Sequence, residues 1–292
     1  MAIRRLFHQK PRTAFVFSGG GNLGAIQVGQ ALALLERGIV PDAVIGCSVG
    51  ALNAAAIACD PSVDQAVRLA NLWKGLRRED IFPATGRGRG PWLYIKSGMS
   101  AYTDEGIRRL IQRWMPGSKR FEDFAARFCV VATSLRTGLE HWFESGDVTL
   151  PLLASTALPG AFPPVDIDGE TYIDGGVVNN IPISKAFELN AKRVYVLDVG
   201  NHEEDRPAPK RPYEVLMHAV NIARAHRFRI EREQVPEGVE MIRMPTIDVG
   251  KLRYDDFTRS ADLIERAYRS SARFLESIDT RDAFAATEAA TA

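Results

Sequence analysis

The pattern of apolar and polar positions predicts strands and helices that alternate along the chain. Short apolar runs such as Thr13 to Phe17 are typical of strands buried on both faces, whereas apolar residues three and four apart predict amphipathic helices. We expect strands at 13–17, 43–45, 127–134, 139–143, 171–173, 193–199 and 239–244. We expect helices at 25–37, after Gly50, and at 61–76, 103–114, 151–156, 184–190, 213–232 and 255–278. This alternation favours a three-layer α/β/α fold with a mainly parallel central sheet.

Composition narrows the class of protein. The 292 residues are 46% hydrophobic and 25% charged, ordinary values for a globular protein with a sizeable core, and the net charge of +1 gives no argument for a nucleic-acid partner. Three cysteines are too few and too scattered for a disulfide framework or a metal site, so we expect no metal and reduced thiols. We find neither a secretory signal nor a transmembrane stretch. A cytoplasmic protein, at most peripheral to a membrane, is expected.

The chain divides into a basic N-terminal arm at 1–12, a folded domain at 13–280 and a frayed tail at 281–292. A loop rich in Gly and Pro leads into an apolar segment at 92–95, which with Phe82 flanks Arg87 and Arg89. We favour a cap that packs on the body over a lid that touches a membrane. The basic run at 224–229 is predicted to be a solvated or oligomer-facing surface.

A stretch after the second predicted strand has the form of a nucleophile elbow. Gly46-Cys47-Ser48-Val49-Gly50 follows an apolar run and leads into a series of alanines, which puts a serine between a strand and a helix. Gly46 and Gly50 remove the Cβ atoms that would collide with neighbouring elements at so sharp a turn. Ser48 is therefore the candidate nucleophile, with the Val49 N–H and the helix N-terminus close by. The alternative is a chance occurrence of a pattern rich in small residues.

A glycine-rich turn follows the first predicted strand. Gly19-Gly20-Gly21-Asn22-Leu23-Gly24 satisfies G-x-G-x-x-G, the fingerprint of dinucleotide-binding folds. That fingerprint also needs an acidic residue at the end of the second strand, but Asp42 precedes this strand and Cys47-Ser48 ends it. Consecutive N–H groups that no side chain shields instead favour an oxyanion hole, which we prefer to a nucleotide loop or a plain tight turn.

A serine nucleophile needs a proton acceptor, and the histidines are weak candidates. The five histidines are His8, His141, His202, His218 and His226. His8 lies in the basic arm, and His218 and His226 lie among arginines on what is predicted to be a solvated helix face. His202 follows Asp198 in the chain order of a Ser–Asp–His triad, but a surface histidine is the favoured interpretation.

Asp174 is the other candidate acceptor. It ends a predicted strand, and Gly175 and Gly176 clear space beside it, so the carboxylate could approach a serine if burial raised its pKa. Taken alone, however, Asp-Gly-Gly favours a hairpin turn.

Four motifs in one order resemble the patatin-like phospholipase family. They are Gly19 to Gly24, Gly46 to Gly50, Ala154 to Val165, and Asp174-Gly175-Gly176 followed by Asn179, Asn180 and Pro182. Together they cover roughly residues 13–199, and their joint occurrence is far more specific than any single motif. Over 200–280 the resemblance is loose.

The resemblance implies a serine lipid acyl hydrolase of the phospholipase A, lysophospholipase or esterase type, without a cofactor. It implies a Ser–Asp dyad without histidine, in which Ser48 is the nucleophile and Asp174 the proton acceptor. The oxyanion-hole residues are expected among Gly19, Gly20, Gly21, Asn22, Gly24 and Val49. The chain departs from the family at Leu23, where many members carry Arg or Lys. This weakens the inference about phospholipid head groups more than that of hydrolysis, and Asn22 could supply a compensating polar contact.

Two other functions stay open on the sequence alone. A transacylase would use the same site with another acceptor, and a nucleotide-binding protein or oxidoreductase would use the loop at 19–24. The expected partners are a lipid or ester substrate and, transiently, a membrane surface, with no nucleic acid. The oligomeric state is not predicted.

Overall fold

The structure is a computed structural model that describes most of the chain. The described residues are 13–82, 100–115, 117, 120–200, 212–250 and 252–291, without the side chains of 212–214, 216, 217 and 279–291. The predicted basic arm, the apolar segment at 92–95 with Arg87 and Arg89, and two of the histidines, His8 and His202, lie outside these residues.

Strands and helices alternate as the sequence pattern predicts. The strands are β1 (Thr13–Phe17), β2 (Ala43–Cys47), β3 (Arg127–Ser134), β4 (Glu140–Phe143), β5 (Val165–Ile167), β6 (Glu170–Asp174), β7 (Arg193–Leu197) and β8 (Glu240–Arg243). The helices are α1 (Gly24–Glu36), α2 (Val49–Cys59), α3 (Val63–Gly75), α4 (Arg78–Ile81), α5 (Glu105–Trp114), α6 (Thr149–Thr156), α7 (Ile183–Glu188), α8 (Pro212–Glu233) and α9 (Ser260–Thr291). Short 3₁₀ turns lie at Gly21–Leu23, Phe121–Asp123 and Gly175–Val177.

The strands form one sheet in the order β5-β6-β3-β2-β1-β7-β8, with β4 also paired to β3. Strands β3, β2, β1, β7 and β8 are parallel, and β4, β5 and β6 add antiparallel pairs at one end. The carboxyl ends of the parallel strands therefore share one edge, where ligands bind in open α/β sheets.

Strand β3 has two different neighbours along one side. Its residues 127–131 pair with β2, residues 132–134 pair with β6, and residues 130–133 pair with β4. Because β4 overlaps both of the others in register, it occupies the opposite side of β3. Strands β2 and β6 thus run towards each other along the same side, and their last residues meet.

Helices cover both faces of the sheet. In β1, Phe15 and Phe17 belong to a large apolar core with helices α1, α2, α3 and α9, whereas Ala14 and Val16 belong to a smaller core with α7. All four side chains are fully buried, which is why β1 has an uninterrupted apolar sequence. This arrangement confirms the predicted three-layer α/β/α fold.

Some predicted details differ in the structure. Two short elements, α4 and β5, were not predicted, because four- and three-residue segments carry too little periodicity. Asp174 does not open a hairpin turn: β6 ends there and the chain enters a 3₁₀ turn. Phe82 does not differ from its prediction: as expected for a cap that packs on the body, it is buried against Phe162 and Tyr102, with ring centroids 5.5 and 5.0 Å away.

Helix α9 begins later than predicted and continues through Thr291, into the segment predicted as a frayed tail. In the described part of the chain, no helix combines the length and apolarity needed to cross a membrane.

Candidate active site

Ser48 lies at the turn between β2 and α2. Its backbone angles, φ 54° and ψ −130°, place it in the left-handed region, a conformation that costs about 1–3 kcal/mol and clusters at functional sites. The flanking glycines are required by close contact: a Cβ at Gly46 would lie 2.5 Å from the Ala51 Cα, and one at Gly50 would lie 2.3 Å from the Ser18 carbonyl oxygen. The Ser48 N–H donates to the Ser155 Oγ at 2.9 Å, which ties the turn to α6.

The structure brings Asp174 to this serine from the opposing strand end. The Ser48 hydroxyl donates to the Asp174 Oδ2 at 2.6 Å. The other carboxylate oxygen, Oδ1, accepts the Gly176 N–H at 2.7 Å, and the Asp174 side chain is 1% exposed. Both oxygens are thus fixed by hydrogen bonds, and the carboxyl group is almost completely shielded from solvent.

The surroundings of Asp174 alter its acidity. Burial raises the pKa of this carboxyl group, and the hydrogen bond from Ser48, the charge of Arg224 and the Gly176 N–H oppose that rise. The neighbouring Cys47 thiol is fully buried, with its Sγ 4.0 Å from the Asp174 Oδ1. Burial, together with the Asp174 charge, raises the pKa of this thiol well above its usual range, so Cys47 is a neutral neighbour.

The glycine loop is clamped beside the serine by Asn180. The Gly19 N–H donates to the main-chain carbonyl of Asn180 at 3.0 Å, and the side-chain amide of Asn180 donates to the Gly19 carbonyl at 3.3 Å. A Cβ on Gly19 would lie 3.3 Å from the Ser48 Cβ and would collide with the Asn180 side chain at 2.4 Å. Only a glycine therefore allows the loop to approach Ser48 so closely.

Two of the main-chain donors predicted for the oxyanion hole, and one side-chain donor, are bonded elsewhere. The Gly19 N–H is bonded to Asn180, and the Gly24 N–H closes the 3₁₀ turn on the Gly21 carbonyl. The Asn22 amide donates to the Arg253 and Asp256 carbonyls at 2.8 and 2.7 Å, so it anchors the loop instead of supplying the expected compensation for Leu23. The remaining candidate donors are the main-chain N–H groups of Gly20, Gly21, Asn22 and Val49.

No histidine within the described ranges hydrogen-bonds to Ser48 or Asp174. His141 lies exposed on β4 against Phe143 and Tyr172, with ring centroids 4.5 and 4.9 Å away. Asp198, the acid of the alternative triad, is fully buried and forms an ion pair with Arg243 at 2.8 Å.

Arg224 is the site residue that the sequence analysis missed. The run at 224–229 is not simply a solvated surface: the Arg224 Nε donates to the Gly176 carbonyl, directly beyond Asp174. Arg227 bonds to Glu140 and Glu231 at 2.6 and 2.8 Å, and Phe228 is buried. Positions 224, 227 and 228 share one face of a helix, and this spacing is the sequence signal from which an inward face of α8 could have been predicted. His226 and Arg229 are exposed, as predicted.

The described residues contain no group of three or more His, Cys, Asp or Glu side chains that could hold a metal ion.

Comparisons with known proteins agree with the motifs. The family model described as patatin-like phospholipase matches residues 15–187. Among curated proteins, a lysophospholipase of Aspergillus terreus is 28% identical over 200 residues, and human patatin-like phospholipase domain-containing protein 6 is 29% identical over 193 residues. These alignments cover 66% and 65% of this chain but only 12% and 14% of the relatives, so the chain spans a small part of their length.

Among solved structures, VipD from Legionella pneumophila aligns with a TM-score of 0.46 at 14% identity. The alignment covers 90% of this chain and 67% of that one.

Proposed function

Because the chain belongs to the patatin-like phospholipase family, we propose that it is a serine lipid acyl hydrolase that uses Ser48 and Asp174 as a dyad. One observation carries this proposal: the Ser48 hydroxyl donates to a buried carboxylate at 2.6 Å, which is the contact between a nucleophile and its general base. The substrate class is an ester of a fatty acid, such as a phospholipid or lysophospholipid.

The first half of the reaction acylates Ser48. As its Oγ bonds to the ester carbonyl carbon, the hydroxyl proton passes along the existing hydrogen bond to the Asp174 Oδ2. The tetrahedral intermediate then expels the alcohol, which takes the proton from Asp174 as the ester C–O bond breaks. Burial supports this role because it raises the pKa of Asp174 towards that of a useful base.

The negative charge on the tetrahedral oxygen needs donors that are in place beforehand. The main-chain N–H groups of Gly20, Gly21, Asn22 and Val49 are the proposed donors. Clamping of Gly19 by Asn180 and anchoring of Asn22 on residues 253 and 256 hold the loop in position before substrate arrives.

The second half releases the fatty acid. A water molecule attacks the acyl carbonyl, Asp174 accepts its proton, and the Ser48 oxygen leaves with that proton as the acyl bond breaks. A transacylase would differ only in that an alcohol takes the place of water, so product analysis separates the two reactions.

The decisive experiment labels the serine. A fluorophosphonate probe should react with the wild-type chain but not with Ser48→Ala, and the wild type should hydrolyse p-nitrophenyl esters and phospholipid vesicles. Asp174→Asn should lose hydrolysis of both. A chain that neither reacts with the probe nor hydrolyses any ester, but is protected from thermal unfolding by NAD, would contradict the proposal in favour of nucleotide binding.

A further inference from the structure

Arg224 reaches the dyad from α8, far along the chain from the other site residues. Its Nε donates to the Gly176 carbonyl, and the Gly176 N–H donates to the Asp174 Oδ1. A Cβ built on Gly176 would lie 3.0 Å from the Arg224 Nη2 and 3.0 Å from the Asp174 Oδ1. The guanidinium and the carboxylate are therefore within about 6 Å of each other, a range in which opposite charges favour the ionised carboxylate.

The charge of Arg224 is not absorbed by another carboxylate within the described part of the chain. One turn away on α8, Arg227 forms ion pairs with Glu140 and Glu231, at 2.6 and 2.8 Å. Arg224 forms no such pair with a described residue, and its Nε donates to a main-chain carbonyl. Its charge is thus available to Asp174.

Among the residues that the structure describes, the other groups that contact Asp174 carry no compensating charge. Strand β2 contributes the neutral Cys47 thiol and leads to the Ser48 hydroxyl, and β3 contributes the Thr133 hydroxyl, which donates to the Asp174 main-chain carbonyl at 3.0 Å. The chain after α6 contributes the Ala157 carbonyl, which accepts the Asp174 N–H at 3.0 Å. On the glycine loop, Leu23 packs against the core.

We propose that Arg224 is a positioning residue that keeps the Asp174 carboxylate ionised and fixed against Ser48. The inference rests on the proposed function, since it concerns the proton acceptor of the dyad.

The physical consequence is a shift in pH dependence. Burial disfavours the charged carboxylate, and Arg224 counteracts that effect. Without the guanidinium, Asp174 holds its proton up to a higher pH, and a protonated carboxyl cannot accept the Ser48 proton. The acidic limb of the pH profile of kcat/KM should therefore move to higher pH by about one unit or more when the charge of Arg224 is removed.

The test compares pH profiles on a neutral short-chain ester, which has no charge of its own to interact with Arg224. Arg224→Gln and Arg224→Met remove the charge with similar side-chain length, Arg224→Lys keeps it, and Arg229→Gln is the control from the exposed face of the same helix. The neutral variants should lose activity at low pH and regain most of it at high pH. Arg224→Lys and Arg229→Gln should keep the wild-type limb.

Several results would overturn the inference. If a folded neutral variant, Arg224→Gln or Arg224→Met, keeps the acidic limb of the wild-type pH profile, Arg224 does not act on Asp174. A loss confined to phosphate-bearing lipids, with normal hydrolysis of the neutral ester, would make Arg224 a substrate-binding residue instead. Fluorophosphonate labelling of Ser48 at high pH tests the proposed function independently of Arg224. A wild-type chain without labelling or turnover would contradict the proposed function itself.

Discussion

Replacing Asp174 by asparagine removes the proposed proton acceptor while leaving the shape of the site intact. The amide oxygen can accept the Gly176 N–H as the carboxylate does, and the amide nitrogen can donate to the Ser48 oxygen in place of the present 2.6 Å contact. What is lost is the ability to take up the hydroxyl proton. General-base catalysis contributes about 10²- to 10⁴-fold, or about 3–5 kcal/mol of activation free energy.

The structure favours the upper part of that range. Asp174 is 1% exposed, so bulk water cannot easily replace it as acceptor, and no histidine in the described ranges hydrogen-bonds to the pair. We expect kcat/KM for a p-nitrophenyl ester to fall by about a thousandfold or more. Steady-state kinetics, with Ser48→Ala as the background, measures the loss. A variant that keeps a tenth of the wild-type kcat/KM would refute the assignment of Asp174 as base.

The same substitution should raise stability at neutral pH. Since burial raises the folded-state pKa of Asp174 above its unfolded value, the folded state binds a proton more tightly than the unfolded state does. The stability that this group contributes is complete below the unfolded pKa and is lost as the pH rises through the folded pKa. The neutral asparagine side chain avoids that loss, so the Tm of Asp174→Asn should exceed that of the wild type at pH 8. The difference between the two Tm values should shrink in acid. An unchanged or lower Tm at pH 8 would contradict this linkage.

Three further changes test the elbow and the acceptor. Gly50→Ala should abolish soluble expression because its Cβ would overlap the Ser18 carbonyl oxygen at 2.3 Å, whereas Gly75→Ala, with open space around it, should express normally. Ser155→Ala should lower the free energy of unfolding by about 1 kcal/mol, measured in urea, since the Ser48 N–H loses its acceptor. The variants His202→Ala, His218→Ala and His226→Ala should each keep kcat/KM within a few-fold of the wild-type value. Abolished turnover in any one of them, with folding intact, would make the dyad assignment wrong.

The sequence predicts local features of the site better than long-range ones. Ser48 could be found because a strand, a tight turn and a helix follow one another within a few residues, each with its own pattern. Asp174 could not be found in that way, since Asp-Gly-Gly has the same local signature as a hairpin turn. Its contact with Ser48 joins residues 126 positions apart, and such a contact leaves no local pattern in the sequence. Only the family resemblance therefore pointed to Asp174.

Arg224 shows the limit of reasoning from composition. A helix segment rich in arginine usually faces solvent, and although the spacing of 224, 227 and 228 indicates an inward face, it does not show what the Arg224 guanidinium would contact there. The contact depends on how α8 packs against the chain after β6, and sequence periodicity does not determine such packing. For the same reason the loop donors at Gly19, Asn22 and Gly24 could not be assigned to their actual acceptors.

The meeting of β2 and β6 along one side of β3 makes the spacing of the two groups of the proposed dyad independent of the length of the chain between them. Because β3 pairs with both strands, its hydrogen-bond register sets the gap between Ser48 and Asp174. Insertions in the connections between these strands leave that gap unchanged as long as they spare α6. A slip of β6 by one residue, in contrast, moves the acid by about 3.3 Å and turns it to the other face of the sheet. Loops here are free to diversify, whereas the pairing of three β3 residues with β6 is not.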